Sequence, residues 1–89
     1  MAKPRWRLYM RLSEAVATRV KEILRERNMT QAQLERLSTI HHGTMNDLLS
    51  SVYKTVNLKT VYLIIRAFEM KVSDFFDHSI FERNDIEVD

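Results

Sequence analysis

Between Met29 and Ser50 the chain has room for two short helices and almost nothing between them, which constrains the fold more than any other stretch. Thr30 is placed to cap the first of these, with Gln33 three residues on as the reciprocal partner of a capping box. Met29 and Leu34 take the flanking positions of a hydrophobic staple. Leu34 and Leu37 give this helix an inward stripe. Met45, Leu48 and Leu49 give the next one a stripe of its own, after a break near Thr39 to His41. Two amphipathic helices joined so tightly cannot lie side by side over their full length, so they must cross steeply.

Eighty-nine residues, 45% of them hydrophobic, suffice for one domain with one modest core. The chain has no cysteine, which removes disulfide frameworks and thiolate metal sites and fits a reducing compartment. Arg7 and Arg11 interrupt the stretch from Trp6 to Leu12, so no signal-peptide core is present there. The apolar run from Val61 to Ile65 is too short to span a bilayer. A soluble, cytoplasmic location is expected. The net charge of +2 hides an asymmetry: residues 1–27 carry eight Lys or Arg against three acids, and residues 73–89 carry one against six. The basic front favours a polyanion as partner. The acidic end must face away from such a partner or neutralise the front.

Residues 5–12 alternate, with Trp6, Leu8, Met10 and Leu12 on one side and Arg5, Arg7, Tyr9 and Arg11 on the other, which predicts a short strand. Ser13 is the expected N-cap of a first helix, along which Val16, Val20, Ile23, Leu24 and Arg27 follow a helical spacing and whose left-handed stop is Asn28. The second helix is expected over about 30–38 and the third over about 42–50. Asn57 should cap a fourth with Leu58, Val61, Ile64, Ile65 and Phe68 buried, and Ser73 a short fifth carrying Phe75 and Phe76. The tail Ile86-Glu87-Val88-Asp89 alternates again. A strand at 5–12 needs a partner, and either this tail or a second subunit can supply it.

From Met29 to Phe76 the order of features resembles the phage repressor/Cro (XRE-like) helix-turn-helix family. The resemblance is carried by Met29-Thr30-Gln31, Leu34, Leu37-Ser38, Thr44-Met45-Asn46-Asp47-Leu48-Leu49, Leu58-Lys59-Thr60-Val61 and Val72-Ser73-Asp74-Phe75-Phe76. It implies a mostly α fold: a five-helix repressor-like helix-turn-helix domain with short β-strands at its N- and C-termini. A single domain would then occupy 1–89, with its core at 13–78, a basic arm at 3–12 and an acidic tail at 79–89. The chain departs from the family where a small residue is usual and Glu35 stands. It departs again where glycine is usual at helix ends and Thr39, Ser51 and Glu69 stand, and where serine commonly caps the third helix and His41 stands. If the backbone stays left-handed at those ends, each non-glycine costs on the order of 1 kcal/mol.

The family reads DNA with the exposed start of its third helix. The resemblance therefore implies base contacts from His42, Gly43, Thr44, Asn46 and Asp47. Their chemistry suits this: Asn46 for adenine, Thr44 for a thymine methyl, His42 for a purine acceptor, Asp47 for the cytosine amine, Gly43 for close backbone approach. Phosphate contacts are expected from Gln31, Ser50, Tyr53, Lys54, Asn57 and Lys59 around that helix. His41 and His42 are adjacent, and no acid spacing completes a metal motif with them, so neither a metal nor another cofactor is expected. No spacing of Ser, His and Asp marks a catalytic set, so an enzyme is not expected.

These features imply a sequence-specific DNA-binding transcriptional regulator, a repressor of phage or mobile-element type from a bacterial or phage source. It would act on double-stranded DNA as a homodimer, without a membrane or small-molecule partner. The alternative is a protein-interaction module, antitoxin or anti-repressor, on the same fold. The third helix carries no Lys or Arg, which favours that alternative.

Overall fold

The computed structural model describes residues 10–52 and 55–87. Its elements run β1 (Met10–Arg11), α1 (Leu12–Glu26), α2 (Gln31–Ser38), α3 (His42–Leu49), α4 (Leu58–Ala67), α5 (Val72–Phe76), a 3-10 turn (Ser79–Glu82) and β2 (Ile86–Glu87). It is the mostly helical, five-helix arrangement with short terminal strands that the sequence implies.

The core forms where α1, α2, α3 and α4 turn their apolar stripes inward. Val16, Val20 and Ile23 of α1 meet Leu34, Met45, Leu49, Val61, Ile64, Ile65 and Phe68, and Phe75 of α5 closes one end. At about 25 cal/mol per Å² of apolar surface buried, this contiguous cluster is the main stabilising term. Met29 packs on it from the staple position before α2, and Thr30 and Gln33 form the expected capping box, Thr30 Oγ1 accepting from Gln33 N at 3.1 Å and Gln33 Oε1 from Thr30 N at 2.8 Å.

Four expectations about local structure are corrected. Helix α1 starts at Leu12, not after Ser13, because the Glu14 carboxylate accepts from the Arg11 backbone N–H at 2.9 Å and fixes the N-cap there. This ends the strand at Arg11, and residues 5–9 of the expected strand lie outside the described residues. Helix α5 is capped from Lys71, whose carbonyl accepts from Asp74 N and Phe75 N at 3.1 Å each, so Ser73 lies inside its first turn. Leu37 is 58% exposed, because the inward line of α2 runs through residues 31, 34, 35 and 38 and leaves position 37 to one side. Leu58 is 77% exposed, sitting at the first residue of α4 beyond the packed part of its own face.

Asn28, Thr39, Ser51 and Glu69 all hold the left-handed conformation, with φ of 55°, 60°, 56° and 56°. After α1, α3 and α4 the bonding is the same. Asn28 N, Ser51 N and Glu69 N bond three residues back, and Met29 N, Val52 N and Met70 N bond five residues back, as in a Schellman ending. The backbone keeps the geometry that glycine usually serves, and the chain accepts the steric cost at each site. At the α2–α3 turn, Ser38 is buried and its hydroxyl accepts from Ile40 N at 3.3 Å, bracing the strained Thr39 from beneath.

Two arginines bind distant helices together through main-chain carbonyls. Arg19 donates to Phe75 O at 2.7 Å and Asp74 O at 2.9 Å, and Arg27 donates to Phe68 O with its guanidinium over the Phe68 ring. The C-terminal segment folds back along α1, and β2 joins β1 in parallel, Met10 opposite Ile86 and Arg11 opposite Glu87. Over the described residues the partner of the first strand is therefore the chain's own tail, with Glu87 opposite Arg11.

Candidate nucleic-acid interface

Helix α3 is anchored by one face and presents the other. Met45 is fully buried and Leu49 is 7% exposed, while His42, Gly43, Thr44 and Asn46 are exposed and Asp47 is half-buried. The five residues proposed for base contact thus share the outer side and starting end of one two-turn helix. Gly43 has open space around it: an added Cβ would meet no heavy atom within 4 Å. His41 occupies the N-cap, and its side chain makes no capping bond.

Glu35, which the reading of the sequence did not place in the site, ties the start of α2 to the start of α3. Its Oε2 accepts from Gln31 Nε2 at 2.9 Å and from His42 Nδ1 at 2.8 Å. The Gln31 amide, followed by the His42 ring, holds the Glu35 carboxyl below its ordinary range, against desolvation that acts the other way. The signal available in the sequence was the four-residue spacing of Gln31 and Glu35, which puts them on one helix face. The tie to His42 depends on the crossing of α2 over α3, which no local spacing encodes.

The residues proposed for phosphate contact are in different states. Gln31 gives one amide N–H to Glu35 and keeps the second. Ser50 turns its hydroxyl back onto its own helix, donating to Asn46 O at 2.7 Å. Asn57 caps α4 as expected, its Oδ1 accepting from Lys59 N at 2.8 Å and Thr60 N at 3.3 Å, so its amide N–H groups point away from the helix end. Lys59 is exposed beside it. Tyr53 and Lys54 lie outside the described residues. An open pocket of about 370 Å³ separates Thr44 and Asp47 of α3 from Asn57 and Thr60 of α4, with Ser13 of α1 at its wall.

A helix braced by its core face, with a second helix crossing behind it and a capped third starting alongside, is the geometry of a helix-turn-helix reading head. The family model for the Cro/C1-type HTH DNA-binding domain matches residues 19–79. The chain belongs to the Cro/C1-type helix-turn-helix family, and is a DNA-binding regulator of that class. No curated protein and no solved structure gives a significant match. Among the described residues, no helix is long and apolar enough to cross a membrane.

Proposed function

We propose that this protein is a sequence-specific transcriptional repressor of phage or mobile-element type. On this reading α3 enters the major groove and reads bases through His42, Gly43, Thr44, Asn46 and Asp47. Gln31, Asn57 and Lys59, with Ser50, Tyr53 and Lys54, hold the flanking phosphates. Two copies would bind half-sites about one helical turn apart and occlude a promoter. The observation that carries the reading is the division of α3: Met45 and Leu49 lock it to the core while His42, Gly43, Thr44 and Asn46 stay exposed.

Selection of bound duplexes from a random pool tests it. Asn46→Ala should relax the preference at one base position by about tenfold and leave the others intact. Lys59→Ala should weaken all sequences alike and reduce the salt slope by about one. A pool that yields no enriched sequence would refute the reading. A second reading, a protein-interaction module, is favoured by one observation: α3 contains no Lys or Arg. A DNA complex loses affinity steeply with salt in proportion to the phosphates neutralised, and a protein complex need not, so a salt titration separates the two.

A further inference from the structure

We infer that Glu35 is a positioning residue that fixes which nitrogen of His42 carries a proton, and through it selects an amino-bearing base, adenine or cytosine, at the position His42 meets. The inference rests on the reading of α3 as the base-reading helix. The His42 side chain is 74% exposed while that of Glu35 is 16% exposed, so the ring is gripped from beneath by one nitrogen and otherwise faces outward. The grip is Nδ1 to Glu35 Oε2 at 2.8 Å. An ionised carboxylate only accepts hydrogen bonds, so Nδ1 must be the donor. The same oxygen also takes a hydrogen bond from Gln31 Nε2, which keeps the carboxylate in place on α2.

With the proton on Nδ1, neutral His42 presents Nε2 as a bare lone pair at its exposed end. In the major groove the hydrogen-bond donors are the amines of adenine N6 and cytosine N4, whereas guanine N7 and O6 and thymine O4 are acceptors. An untied histidine can exchange tautomers and donate to guanine. The tied one cannot donate from Nε2 while neutral. The tie replaces the purine-acceptor contact expected of His42 from the sequence, in which the ring would donate, with one in which the ring accepts from a base amine.

The test has two arms, both on the full chain at pH 8. In the first, nitrogen-15 correlation spectra of the free protein report the tautomer, with His42→Ala assigning the signals. The expected result is the Nδ1–H form in the parent and in Glu35→Gln, whose carbonyl oxygen still accepts, and loss of that bias in Glu35→Ala. In the second, duplex selection with the same variants should give adenine or cytosine at the position whose preference disappears in His42→Ala. Glu35→Ala should then admit guanine, with discrimination falling about fivefold, and Glu35→Gln should retain it. An Nε2–H tautomer in the parent overturns the inference, as does guanine preferred at that position or a base preference indifferent to Glu35→Ala. If no duplex binds while the Nδ1–H tautomer is present, the reading of α3 falls and takes the base choice with it. The tautomer arm distinguishes that failure from failure of the Glu35 tie.

Discussion

Ser13 is 3% exposed, and its hydroxyl has no hydrogen-bond partner among the described residues. Because the helix begins before it, the residue that looks like a cap is instead a buried polar group inside α1. Leaving such a donor unsatisfied costs about 1–3 kcal/mol, and alanine is the better helix former. Ser13→Ala should therefore stabilise the fold by about 1 kcal/mol, read as a rise in the denaturant midpoint at unchanged slope. Gly43 gives a prediction with two opposed readouts. Since its Cβ position is open, Gly43→Ala should stabilise free α3 by about 1 kcal/mol in thermal melts. Duplex affinity should fall at the same time, if the backbone of α3 approaches the bases as closely as glycine permits. Caps such as Thr30 and Asn57 were legible in the sequence because their bonds close within three residues. Glu35 was not, because the inward line of α2 is mostly polar and Leu37 offered a stronger apolar signal than its place in the fold warrants.

At the scale of elements, the helix ends carry much of the information. The sequence marked Thr39, Ser51 and Glu69 as positions where glycine would be usual, and the backbone is left-handed at each. Glu69→Gly should stabilise the protein by about 1 kcal/mol, and Thr39→Gly by at least as much because β-branching worsens the clash. In a chain of this size each should raise Tm by several degrees. An unchanged Tm for Glu69→Gly would mean that the strain is relieved elsewhere. The starts of α1 and α5 were misplaced for a common reason. A serine ahead of an apolar run suggests a cap, but backbone and carboxylate bonds further back set the true first turn.

Across the whole molecule, the C-terminal segment is held to α1 by a charged clasp. The Glu22 carboxylate takes the His78 Nε2 contact at 3.0 Å and the Arg19 Nη1 contact at 2.9 Å, while His78 Nδ1 accepts from Ile80 N. The His78 hydrogen bond, then that of Arg19, pulls the Glu22 carboxyl below its ordinary range. The folded carboxyl binds its proton more weakly than the unfolded one. Its contribution is therefore present above about pH 4.3 and is lost as pH falls through the lower folded value. Glu22→Gln should flatten that part of the acid-denaturation curve. The tail was one of the two partners expected for the first strand, but the parallel direction of its pairing with Met10 and Arg11 was not foreseeable, since alternation marks a strand without fixing its direction.

The corners of this chain have a thermodynamic consequence beyond their strain. Gly43 is its single glycine, and it sits inside a helix, so every tight reversal after α1, α2, α3 and α4 is made by a residue with a side chain. Such a polymer samples fewer shapes when denatured, and folding therefore surrenders less disorder at those sites. Restoring glycine there would relax the native corners and loosen the denatured coil together, so melting should show enthalpy and entropy rising in step while the free energy moves far less than either.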